Sequence, residues 1–321
     1  SDAGSTLTMT TADMTTVPLI GAAADAKDET PLVTKMANAT NKGIGKYIVW
    51  AIAALWTVPT IGLLISSFRP EDDIKSTGWW NWFTEPNNVT FDNYSTVLKD
   101  KVAGRPFSEF FWNTLQIAIP GAVIPIAVAA LAAYALSWMH FKGRDALSVF
   151  IVALMVVPLQ MCLIPLLRYL FAADWFPEQL SGVPSIWIAH SIFAMPLAIF
   201  LLKNFIGALP SEVIEAARVD GASHMSIFVK IVLPLSVPAI ASLAIFQFLW
   251  VWNDLLVAKV FGGGAANQPM TYALVDMVGN KGNEWQLLTA GAFITMIVPL
   301  IVFLSLQRYF VRGLLAGSVK G

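Results

Sequence analysis

Charge is what this sequence has least of. Only 13% of its 321 residues are charged, where a soluble domain carries roughly a quarter. One cysteine, Cys162, lies inside an apolar run, so no intrachain disulfide can form. The net charge of -1 argues against nucleic acid as a partner. No Gly-x-x-x-x-Gly-Lys-Ser/Thr occurs; the one Lys followed by Ser or Thr, Lys75-Ser76, has no glycine ahead of it. The chain therefore cannot cradle ATP phosphates itself. Its three histidines (His140, His190, His224) are scattered, with no His-Glu-x-x-His, so neither a metal nor a bound cofactor is expected. No Gly-x-Ser-x-Gly nucleophile elbow is present, and no catalytic residue is assigned. Period-two alternation never runs long enough for a membrane β-barrel.

Apolar sequence is what remains, at 56% hydrophobic residues. It gathers into runs at about 47–67, 110–139, 146–170, 184–206, 235–258 and 290–311. At about 1.5 Å per residue each can cross about 30 Å of hydrocarbon. Prolines inside them (Pro59, Pro120, Pro125, Pro158, Pro165, Pro196, Pro299) predict kinks, because neighbouring helices re-satisfy the freed carbonyls. The predicted fold is an all-α membrane protein with six transmembrane helices over 47–321, in direct contact with membrane lipids.

Residues 1–46 are rich in Thr, Ala, Asp and Lys and lack a signal-peptide core. They read as a disordered cytoplasmic tail rather than a docking segment. Lys and Arg favour both termini inside: Lys35, Lys42, Lys46, Lys142, Arg144, Lys203, Arg218, Lys230, Arg308, Arg312 and Lys320 all fall on inner segments in that orientation. Trp79, Trp80 and Trp82 then lie in an outer loop, where indoles seek the headgroup level. Interfacial anchoring is a simpler reading of them than sugar stacking.

The longest inner loop, 207–234, is polar and patterned. Pro210 suits a helix start. Glu212 and Glu215 follow where the helix dipole favours carboxylates. Ala216 and Ala217 are small helix formers that let another surface approach. Gly221 supplies a sharp turn. Asp220 or Ser223 can cap a second helix through Ile227, Phe228 and Ile231, and Leu233-Pro234 opens the next span. Together these predict a helix-turn-helix hook suited to a groove on a partner protein.

Polar groups within or at the ends of spans are expensive unless compensated: Asn113, Gln116, Gln160, His190, Gln247, Asn253 and Asp254. They are candidates for an uncharged substrate's path, since amides and His190 can hydrogen-bond hydroxyl groups without a counter-ion. For any one of them, hydrogen bonding between helices is the preferred reading. Asp254, following two tryptophans, is expected at the interface.

Glu215-Ala216-Ala217, Asp220-Gly221-Ala222 and Ile231-Val232-Leu233-Pro234 resemble the EAA loop of ABC importer permeases. Trp252-Asn253-Asp254 and the ending Leu306-Gln307-Arg308-Tyr309-Phe310 through Val319-Lys320-Gly321 resemble the carbohydrate branch, most of all the second permease of maltose and α-glucoside importers. The resemblance is strong over about 184–321, weaker in the earlier spans and absent from 1–46. It implies the type I importer permease fold in a bacterial cytoplasmic membrane. It implies as partners a second homologous permease, two ATP-binding subunits that hold ATP and Mg, and an extracytoplasmic sugar-binding lipoprotein. Glu215, Ala216, Ala217, Asp220, Gly221, Ile231, Leu233 and Pro234 would form the ATPase-coupling element. Loop 259–289, with Gly262, Gly263 and Gly264, would probe the binding protein's sugar cleft. Maltose or trehalose is the substrate expected by resemblance alone. The competing reading, an ion-coupled carrier or channel acting alone, leaves the hook unexplained and lacks the buried acids or basic rings that move ions.

Overall fold

The computed structural model describes residues 32–84, 86, 88–99, 101–102, 104–171, 177–280 and 284–318. The chain forms two compact units, residues 1–59 and 60–321. In the first, the described backbone is the leading part of α1 (Leu32–Ser67). The helix thus starts at Leu32, and residues 32–46 of the expected disordered tail are helical; the rest of that tail lies outside the described residues. The stretch Gly45–Ser67 is apolar and long enough to cross a membrane.

In the second unit, α2 (Glu71–Ser76), a 3-10 turn at Trp79–Phe83 and α3 (Asp92–Lys99) form the first loop. A two-residue antiparallel pair, β1 (Lys101–Val102) and β2 (Arg105–Pro106), leads into α4 (Phe107–Trp138). Then come α5 (Arg144–Leu154), α6 (Leu159–Leu166), α7 (Val183–Ile206), α8 (Ser211–Val219), α9 (His224–Ile227), a π turn at Phe228–Val232 and α10 (Leu233–Leu235). The chain closes with α11 (Val237–Asn253), α12 (Leu256–Phe261), α13 (Met270–Asn280) and α14 (Trp285–Ser318).

Among the described residues, four helical stretches are each long and apolar enough to cross a membrane: Gly45–Ser67, α4, α7 and Trp285–Gln307. Two bent helix pairs pass the same test only when each pair is taken together. The expected third span, 146–170, breaks between α5 and α6 with a 99° bend. The expected fifth, 235–258, is shorter: α11 ends at Asn253 and α12 is a separate helix. At its other end, His224–Leu235 meets α11 at 73°. The sixth starts earlier than expected, at Trp285.

The bundle is built on α4 against α7, with α11 packed on both. Close approach follows from small residues: Ala118, Ala122, Ala129, Ala130 and Ala133 on α4 are buried, as are Ala189, Ala194 and Ala198 on α7. Without a hydrophobic drive between helices in lipid, such small faces let backbones pack tightly. Gly121 marks the crossing, where an added Cβ would meet Val251 Cγ1 at 3.2 Å and His190 Cβ at 3.8 Å. Two apolar cores result. One, around Phe107, Phe110, Trp252, Phe261 and Met270, lies at the leading end of α4. The other, around Ala133, Tyr134, Leu202, Ile206, Ile214 and Val232, lies at the trailing ends of α4 and α7.

Candidate functional site

The hook between α7 and α11 folds for local reasons. Pro210 precedes α8, whose first turn carries Glu212. Asp220 N–H donates to Ala216 O, Gly221 N–H to Arg218 O and Ala222 N–H to Ala217 O, each at 3.0 Å. These bonds form a Schellman ending, and Gly221 supplies the left-handed residue it needs, at φ +76°. Ala217 and Ala222, the pair such an ending brings together, both pack on the core. Of the two candidate caps, Ser223 is the one used: its Oγ accepts from Ser226 N–H at 3.3 Å.

Long-range contacts seat the hook on the bundle. Ile214, Ile227 and Val232 are buried to 1% exposure or less and join the core formed by α4 and α7. Arg218 donates to the carbonyl of Trp138 at the end of α4, and Trp138 Nε1 donates to Ile206 O at the end of α7 at 3.0 Å. Tyr134 OH and His224 Nδ1 are 3.0 Å apart. Arg218, Tyr134, Trp138 and His224 were not nominated from sequence. Tyr134 and His224 are separated by 90 positions, so no local pattern announces them. What the seat leaves outside is Glu212, Glu215, Ala216, Asp220, Gly221 and Val219, the last 88% exposed. Ala217, Ile231 and Leu233 are half-buried and face the bundle, while Pro234 is exposed.

At the opposite ends of α4 and α7, the segment after α12 is clamped. Asn113 Nδ2 donates to Ala266 O (2.7 Å) and Gln268 O (3.0 Å), and Arg105 Nη1 to Ala265 O (2.8 Å). Asn267 Nδ2 donates to Gly262 O at 2.7 Å. Gly262 caps α12 and has no room for a side chain, since a Cβ would meet Ala258 O at 2.6 Å. Gly263 takes φ +72°, and Gly264 is extended. The three glycines therefore shape a held turn rather than a loose one.

The polar candidates divide into two groups. Asn113 clamps the loop, and Gln247 Nε2 donates to Gly121 O at 3.3 Å, tying α11 to α4. His190 is buried, with Nε2 3.6 Å from Asp254 Oδ2. Asp254 in turn accepts from Val257 N–H (2.9 Å) and Ala258 N–H (3.2 Å) and so caps α12. Its side chain is only 13% exposed, which corrects the interfacial placement expected for it: the carboxylate is drawn in by the N–H groups of the helix it starts. Gln116, Gln160 and Asn253 are exposed. Asn253 Nδ2 bonds its own helix at Leu249 O, 2.8 Å away. No group of three or more His, Cys, Asp or Glu that could hold a metal lies among the described residues.

A multi-span helical bundle with a polar hook seated at one end and a clamped loop at the other defines a membrane-embedded transport component. The chain belongs to the family of binding-protein-dependent transport system inner membrane components, whose model matches residues 121–315. It is similar to the osmoprotective compounds uptake permease protein GgtD of Synechocystis sp. (strain ATCC 27184 / PCC 6803 / Kazusa), with 55% identity over 276 residues, 85% of this chain and 90% of that one. It is 56% identical over 240 residues to the alpha-glucoside transport system permease protein AglG of Rhizobium meliloti (strain 1021), 74% of this chain and 62% of that relative. The fold is shared with a chain in the crystal structure of a bacterial ABC transporter involved in the import of the acidic polysaccharide alginate, at TM-score 0.65 and 22% identity, covering 89% of this chain and 99% of that one.

Proposed function

We propose that this chain is one of two homologous permeases of an ATP-driven sugar importer, and that the hook couples it to an ATPase subunit. The observation that carries the reading is the division of labour in 211–233. Ile214, Ile227, Val232, Arg218 and His224 hold the hook to the bundle, while Glu215, Ala216, Asp220 and Gly221 face outwards. A surface element packed this firmly transmits a push to α4, α7 and α11 as a rigid body. Glu215 meets basic residues of the ATPase in this scheme, and Ile231, Leu233 and Pro234 carry the motion into the span. ATP and Mg belong to the two ATPase subunits.

Both termini and the hook face the cytoplasm, and the clamped loop with Gly262 to Gly264 faces the extracytoplasmic sugar-binding protein. The relatives point to an α-glucoside or a related osmoprotective solute as cargo. The exposed Gln116, Gln160 and Asn253 are the polar groups free to meet it, whereas Asn113, Gln247, His190 and Asp254 position helices around the path.

The test is Glu215→Lys in the reconstituted importer. ATP hydrolysis stimulated by sugar-loaded binding protein falls to the basal level, or the ATPase no longer co-purifies, while the permease stays folded in the membrane. Unchanged transport by that variant removes the coupling assignment.

A further inference from the structure

Between α5 and α7, at the hook's end of the bundle, a polar pocket opens into an apolar groove. The pocket, about 320 Å³, is lined by Ser137, Arg144, Asp145, Lys203, Asn204 and Gly207. The groove, about 290 Å³, shares Leu136, Lys203 and Asn204 with it and continues past Val152, Ile199 and Phe200. We propose that the two together hold one phospholipid with an anionic headgroup, its phosphate in the pocket and an acyl chain in the groove.

The charge is suited to a phosphate. Lys203 Nζ donates to Ser148 Oγ at 2.9 Å, which leaves the ammonium two further donors. Arg144 uses Nε on Asp145 Oδ1 at 3.2 Å, which leaves its terminal nitrogens available. Asp145 is the one acid at the rim, and its side chain is 89% exposed, so water screens it more than it screens the two cations. The α5 helix begins at this rim behind Gly143 with no side-chain cap, adding the positive end of its dipole. The groove argues for a lipid over a free anion, because a soluble ion leaves the apolar half unfilled. Its outer wall is α5, whose Val149 and Phe150 are 69% and 58% exposed, and which together with α6 is long and apolar enough to cross a membrane. Basic pockets between helices on the cytoplasmic side are where anionic headgroups bind.

The site lies at the root of the hook. Gly207 donates to Lys203 O, and Ser137 Oγ donates to the same carbonyl at 3.4 Å, one residue before the Trp138 carbonyl that holds Arg218. A lipid here braces α5 against α7 where α7 hands over to α8, so coupling depends on anionic lipid. This rests on the inward orientation of the hook proposed above.

The test uses the assembled importer, delipidated in detergent and followed by native mass spectrometry with phosphatidylglycerol, with phosphatidylcholine of the same chains, and with inorganic phosphate. One phosphatidylglycerol is retained per permease beyond the exchangeable lipid, phosphatidylcholine is held about tenfold more weakly, and phosphate does not displace the lipid. The double variant Arg144→Gln/Lys203→Gln weakens retention about tenfold, and Lys203→Arg preserves it. Val152→Trp, which fills the groove and keeps both charges, also loses the lipid. Equal retention of the two lipids overturns the proposal, as does displacement by phosphate, unaltered retention in both the double variant and Val152→Trp, or an assembled complex that retains no lipid. The Glu215→Lys result reads the coupling assignment separately, so either reading can fail alone.

Discussion

Gly221 shows how much of the hook depends on single residues. Its Cβ position is open, with nothing within 4 Å, so a substitution there meets strain only from the backbone, at φ +76°. Gly221→Val costs about 1–2 kcal/mol and lowers the thermal midpoint of the detergent-solubilised chain. Gly221→Asn, which tolerates the left-handed region, lowers it less. Equal midpoints for the two variants contradict the Schellman ending as the source of the requirement. Tyr134→Phe removes one hydrogen bond at the seat, worth about 1 kcal/mol, and reduces stimulated ATP hydrolysis although Tyr134 is buried and not on the hook's exposed face. The turns of the hook were legible in the sequence, because Pro210, Gly221 and Ser223 act on their own neighbours in the chain. The seat was not: Arg218 and Trp138 are 80 positions apart, and Tyr134 and His224 90.

Among the elements, the third and fifth apolar runs depart most from a single continuous helix. Apolar content over 146–170 is continuous, and Pro158 and Pro165 read as kinks that a neighbour could heal. The backbone instead turns by 99° between Leu154 and Leu159, with Pro158 heading α6. Asp254 explains the early end of the fifth span, since its carboxylate starts α12 instead of prolonging α11. Composition alone does not place these breaks, because apolar residues continue on both sides of each. The glycine loop carries the same lesson: Gly262 to Gly264 suggest looseness, and Asn113 and Arg105 remove it. Asn113→Leu therefore raises hydrogen exchange across residues 262–268 severalfold while α4 and α7 stay protected. An unchanged exchange profile rules out Asn113 as the clamp.

At the scale of the molecule, α4 and α7 tie its two ends together. Their leading ends hold the clamped loop and their trailing ends hold the hook, so a load applied at one end reaches the other through a single packed pair. Small buried residues along that pair, Ala118 to Ala133 on α4 and Ala189 to Ala198 on α7, leave little room for the helices to slide. Ala129→Leu forces them apart and costs about 1–3 kcal/mol, measured as a lowered thermal midpoint, with coupling reduced in proportion. A variant as stable and as well coupled as the parent contradicts a rigid α4–α7 unit. The central claim is that an ATPase grips the hook from the cytoplasm, and Val219, exposed on its outer surface, reports on it directly. In a Cys162→Ser background, Val219→Cys should react with a membrane-impermeant thiol reagent only from the cytoplasmic side, and lose that reactivity when the ATPase subunits are bound. Labelling from the outside, or labelling from within that the ATPase leaves untouched, would contradict the account.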